Sequence, residues 1–123
     1  MYLQILNVVQ IKPGIKVNIN SAKDSLLTEF GKATLEDRYL MPNETPQDLF
    51  ARVASYFADD DAHAQRIYDY ASKLWFMYST PILSNGGTER GMPISCFLNY
   101  VGDSREGLTG HYTENAWLTS IGG

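Results

Sequence analysis

The stretch MPISCFLNYV, residues 92–101, is apolar on both of the faces that a β-strand would present. Successive strand side chains point to opposite faces, so such a strand must be covered on both sides, as in the interior of a parallel sheet. It also needs neighbours to take its backbone hydrogen bonds. The remaining sequence offers little to meet that need. Its other β-like tract lies in residues 1–25, where Ile15, Val17 and Ile19 alternate with Lys16 and Asn18 after the turn signal Lys12-Pro13-Gly14. That tract reads as an N-terminal extension carrying a β-hairpin, with Asn20 to Asp24 as a polar linker. A two-face apolar strand without neighbours predicts an α/β fold that is incomplete on its own.

Between these tracts the periodicity is helical. Residues 25–37, SLLTEFGKATLED, form a short helix weakened by Gly31. A second helix starts sharply, with Thr45 as cap, Pro46 at the first helical position and Asp48 in the first turn. Leu49, Phe50, Val53, Ala54 and Phe57 give it an apolar stripe. Asp59, Asp60 and Asp61 lack the spaced ligands and glycine of a calcium loop, and read as the cap of a third helix. That helix is predicted to run to about Tyr78, with Ala64, Ile67, Tyr68, Ala71, Leu74 and Trp75 on one face. Residues 80–91 then read as a loop leading into the strand. Asp103 and Glu106 are spaced as a capping box for a last helix from about Ser104 to Thr119, weakened by Gly107 and Gly110.

Several function classes are disfavoured. The net charge of −4, with scattered lysines and arginines, gives no basic field for nucleic acid. No apolar run approaches a membrane span, and the N-terminus is a poor signal peptide, so a cytoplasmic protein with no nucleic-acid or membrane partner is expected. One cysteine and two distant histidines give no metal-ligand spacing, so no metal site is expected. Taken alone, Cys96 is either an inert small apolar residue or a reactive thiol.

The stretch TPILSNGGTERGMPISCFLNYVGDS, residues 80–104, resembles the catalytic large subunit of ribonucleotide reductase, most closely its class I form. LTEFGKATLEDRYLMPNE (27–44) and ENAWLTSIGG (114–123) fit the same subunit in order and with compatible spacing. The resemblance implies three segments: the extension at 1–25, a helical region at 26–79, and, at 80–123, the first strand and helix of a ten-stranded α/β barrel, cut at the family's glycine loop. It implies reduction of ribonucleotides to 2′-deoxyribonucleotides by thiyl-radical chemistry, in which a cysteine pair supplies two electrons while closing to a disulfide.

Residue by residue, Cys96 matches the first member of that reducing pair, its partner cysteine lying outside this chain. Thr80 and Ser95 match substrate-contacting positions, although Thr80 also suits a turn with Pro81 and Ser95 a tight strand position. Asp103 and Ser104, followed by Arg105, match the allosteric specificity site for a dNTP or ATP effector, and they make a good helix cap in any case. The resemblance further implies as partners the remaining large-subunit polypeptide, a second large subunit, a radical-generating small subunit with its metal, and thioredoxin or glutaredoxin. No cofactor is expected on this chain itself, and the N-terminus leaves no room for the family's ATP-cone domain. Two other readings stay open: the adenosylcobalamin-dependent class II enzyme, and a non-catalytic nucleotide- or partner-binding module derived from the reductase.

Overall fold

The computed structural model describes residues 14–123. Its elements are a 3-10 helix, Ser21–Leu26, and five α-helices: α1 (Glu29–Arg38), α2 (Pro46–Phe57), α3 (Asp61–Ser72), α4 (Thr80–Asn85) and α5 (Arg105–Ser120). No strand is formed among the described residues, so the α/β expectation gives way to a helical architecture there. Residues 92–101 are irregular, with Leu98 and Tyr100 almost fully exposed. The physical reason is the one the sequence raised: a strand exists through its ladder, and the described residues supply no neighbour.

Most of the hairpin expected before residue 20 lies outside the described residues, and Ile15 to Ile19 do not pair as a strand. They dock on a helix instead. The amides of Lys16, Asn18 and Asn20 donate to Asp61 Oδ1 (2.9 Å), Gln65 Oε1 (2.7 Å) and the Tyr68 hydroxyl (2.8 Å). Those acceptors stand one above another on α3, so a period of two on the segment meets steps of four and three on the helix. The linker expected at 20–24 is the 3-10 helix, capped by Asn20, whose side chain accepts from the Ala22 amide. Lys23 then reaches Asp69 and Ser72 on α3, and Asp24 accepts from Gln47 on α2.

α1 begins at Glu29 because the Thr28 side chain accepts from the Gly31 amide at 3.0 Å. Gly31 fits that role, since a Cβ there would stand 3.2 Å from the capping oxygen. α2 has the expected start, with Thr45 and Asp48 forming a reciprocal capping box and Pro46 following the cap. The acidic triplet caps as read: Asp60 accepts from the His63 amide at 2.7 Å.

α3 stops earlier than its periodicity suggested. The Leu74 and Trp75 amides return to the Ala71 and Tyr70 carbonyls, with Leu74 in the left-handed region at φ 59°. This is a Schellman ending with leucine where glycine is usual. Leu74 and Trp75 consequently leave the core face, and Trp75 stacks on Tyr70 in solvent.

The core sits between α2, α3 and α4. Leu49, Phe50, Ala51, Ala54, Tyr68, Ala71 and Leu83 are buried together, with Val17, Tyr39, Leu40, Ile67 and Tyr78 packed against them. Within it Arg52 and Glu44 are also fully enclosed. α5, by contrast, buries none of its residues. Its cap is Ser104, whose side chain accepts from the Gly107 amide at 2.9 Å, in place of the Asp103–Glu106 box. Gly107 does not merely weaken the helix: a Cβ there would stand 2.5 Å from the Gly102 carbonyl oxygen.

Candidate functional site

The predicted site residues fall on three pieces of chain. Thr80 opens α4, which replaces the loop expected at 80–85. Pro81 suits the first turn of a helix, and the following Gly86-Gly87 pair ends it. Leu83 is the buried anchor of this short helix.

The far end of α4 is held by a buried charge. Arg52 Nε donates to Glu44 Oε1 at 2.7 Å and its Nη2 to Glu44 Oε2 at 3.0 Å. Of the three remaining guanidinium hydrogens, one on Nη2 reaches the Leu83 carbonyl (3.3 Å) and one on Nη1 the Gly86 carbonyl. Glu44 also accepts from the Met41 amide at 2.8 Å. A bidentate arginine–carboxylate pair suits this position because every buried polar atom then finds a partner. Gly87 passes close to the arginine stem at φ 71°, where a Cβ would stand 3.0 Å from Arg52 Cγ.

The near end of α4 meets α1. The Thr80 hydroxyl lies 3.2 Å from the Tyr39 hydroxyl, and both line a groove of about 320 Å³ between α1 and residues 77–83. Leu27, Phe30, Leu35, Met77 and Leu83 make its walls apolar. The Tyr78 hydroxyl, a further lining group, is buried without a hydrogen-bond partner, and burial pushes its phenol well above the ordinary tyrosine range.

Ser95 and Cys96 lie on the irregular segment, both exposed, with Cys96 a free thiol. That segment is tied to α4 at its start, where Asn85 Nδ2 donates to the Met92 carbonyl at 2.7 Å. It is tied to α5 through Asn99 and Asn115, and through Met92 and Ile121. Asp103, Ser104 and Arg105 sit together at the start of α5, all exposed. Ser104 is committed to the cap, while the first-turn amides of a helix start suit an anion. The structure thus groups 103–105 at one helix start and sets Thr80 on a different support from Ser95 and Cys96. No group of three potential metal ligands comes together among the described residues. No helix among them is long and apolar enough to cross a membrane.

The family model described as "Ribonucleotide reductase, all-alpha domain" matches residues 25–91, more than half of the chain. The chain belongs to the ribonucleotide reductase large-subunit family. Helices α1 to α4 fall within the matched stretch, which ends just before the irregular segment. The large subunit of ribonucleoside-diphosphate reductase from Invertebrate iridescent virus 6 is 42% identical over 106 residues, covering 85% of this chain and 11% of that protein. Its counterpart from Invertebrate iridescent virus 3 is 41% identical over 109 residues, covering 87% and 17%. The alpha subunit from Helicobacter pylori is 33% identical over 131 residues, covering 98% and 16%. The chain therefore spans less than a fifth of the length of these reductase subunits.

Sequence reasoning missed Glu44, Arg52 and Tyr39. A signal for the first two was present: Arg52 interrupts the apolar stripe of α2 and stands one turn after Asp48, facing inward with Leu49 and Val53. A charge on a buried face asks for a partner, and the turn before α2 supplies Glu44. Tyr39 offered no comparable sign, because its contact to Thr80 depends on how α1 lies against α4.

Proposed function

We propose that this chain provides the N-terminal part of a class I ribonucleoside-diphosphate reductase large subunit. In the whole enzyme, a ribonucleotide's C2′–OH bond is replaced by C2′–H. Two thiols supply two electrons and two protons, closing to a disulfide and releasing water. Cys96 is one of those thiols, and the other belongs to polypeptide beyond this chain. Thr80 and Ser95 contact the ribonucleotide. Asp103, Ser104 and Arg105 contribute to a site where a dNTP or ATP selects the substrate base, with the carboxylate accepting from ribose and the helix start receiving phosphate.

The observation that carries the reading is the family match across 25–91, which includes TPILSN and is continued by PISC and GDS in order, with an exposed free thiol in PISC. The irregular, uncovered segment at 92–101 fits a strand awaiting its barrel neighbours, which the remaining large-subunit polypeptide would supply. The other partners of this cytoplasmic assembly are a second large subunit, a metal-bearing small subunit that generates the radical, and thioredoxin or glutaredoxin.

The test is reconstitution with the remaining large-subunit polypeptide, the small subunit and a dithiol reductant. Cys96→Ser is expected to stop multiple turnover. Undiminished turnover by that variant sinks the assignment, and a requirement for adenosylcobalamin in place of the small subunit moves it to class II.

A further inference from the structure

Two rigid frames meet at Thr80. The first is the end of α1. The Tyr39 and Leu40 amides both donate to the Leu35 carbonyl at 2.9 Å, and Arg90 Nη2 donates to the Leu40 carbonyl at 3.2 Å. The Tyr39 ring packs against the buried core, so its hydroxyl has a defined position. The second frame is α4, fixed at its far end by Arg52 through the Leu83 and Gly86 carbonyls. Across the gap between the frames the contact is hydroxyl to hydroxyl, at 3.2 Å.

Which hydroxyl donates decides what Thr80 can offer. Each carries one hydrogen and lone pairs. A phenol is far more acidic than an aliphatic alcohol and is the better donor. With the Tyr39 hydrogen on Thr80 Oγ1, the threonine hydrogen is free to point elsewhere. The capping position beside it belongs to Ser79, whose side chain makes no cap hydrogen bond, so Thr80 is not drawn into closing the helix start.

We propose that Tyr39 is a positioning residue for Thr80: its phenol donates to Thr80 Oγ1, selects the threonine rotamer, and leaves the threonine O–H to donate to an acceptor oxygen of the bound ribonucleotide. This deepens, and rests on, the reading of Thr80 as a substrate contact. It assigns the helical region a part in substrate recognition, through the side chain of the residue that caps α1.

The experiment compares Tyr39→Phe, Thr80→Val and the double variant in the complete large subunit carrying this sequence, with its small subunit and a dithiol reductant. Tyr39→Phe keeps the packed ring, so its melting temperature is expected to stay at the parent value. Its KM for the ribonucleotide is expected to rise about three- to tenfold, the size of one oriented hydrogen bond, with kcat changed by less than about twofold. The double variant is expected to match Thr80→Val, because the phenol acts only through the threonine. An unchanged KM in Tyr39→Phe, or effects that multiply in the double variant, overturns the positioning role while leaving the Thr80 reading in place. A parent-like KM in Thr80→Val overturns the Thr80 reading itself, and with it the inference.

Discussion

Arg52 and Glu44, eight residues apart and with both side chains shut off from solvent, close a bidentate ion pair inside the core of the helical region. The same guanidinium holds two carbonyls of the α4 turn, so a pair that links α2 to the turn before it also fastens Thr80's helix from its far end. Burying two charges is costly, and the pair persists because its geometry leaves neither partner wanting.

Removing one member leaves the other charged and enclosed. Glu44→Ala is expected to lower unfolding stability by about 3–5 kcal/mol. Arg52→Met should cost a similar amount, because it leaves the carboxylate and the Leu83 and Gly86 carbonyls without their donor. Denaturant unfolding of the two singles and the double should show strong non-additivity. Additive losses would mean that the pair does not act as a unit.

Gly87 allows the turn to pass over the arginine stem at positive φ. Gly87→Ala combines a left-handed backbone with a Cβ close to Arg52 Cγ, and a loss of about 1–2 kcal/mol is expected. The same substitution at Gly110, where nothing lies within 4 Å, serves as the reference. It should be neutral or slightly stabilising, since alanine is the better helix former.

Tyr78 supplies a pH dependence whose sign is fixed by burial. Its folded pKa is raised above the ordinary tyrosine value, so the folded state holds its proton more tightly than the unfolded chain does. This contribution is constant below about pH 10 and is lost as pH rises beyond that, when the unfolded phenol ionises first. Tyr78→Phe should make the alkaline fall in urea midpoint shallower. At neutral pH it should be neutral or stabilising by about 1 kcal/mol, since it removes an unpaired buried hydroxyl.

At the start of α5 the two residues of the Asp-Ser pair should behave differently. Ser104→Ala removes the acceptor of the Gly107 amide and is expected to cost about 1 kcal/mol of local helix stability, read as faster exchange of that amide. Asp103→Ala should leave that amide protected. A loss of protection at the helix start in Asp103→Ala, with none in Ser104→Ala, would return the cap to the Asp103–Glu106 arrangement.

What the sequence made legible was local. The α2 start was readable because Thr45, Pro46 and Asp48 act on their own backbone, and Asp60 caps α3 for the same reason. The end of α3 was not readable, because the apolar spacing continues through Leu74 and Trp75 while the left-handed Leu74 turns the chain away. α4 was hidden by its shortness and by glycines that suggested a loop; its stability comes from Leu83 in the core and from Arg52, both long-range. At the site, residues of one motif share no single scaffold: Thr80 rests on the helical region, while Ser95 and Cys96 follow on an uncovered segment.

The docking of Lys16, Asn18 and Asn20 on α3 has a consequence for any solvent-exchange measurement on this protein. Every second amide of that segment is occupied by a helix side chain, and Val17 and Ile19 between them do not share those acceptors. Deuterium uptake there should alternate residue by residue, the signature usually taken for an edge strand, in a stretch whose neighbour is a helix.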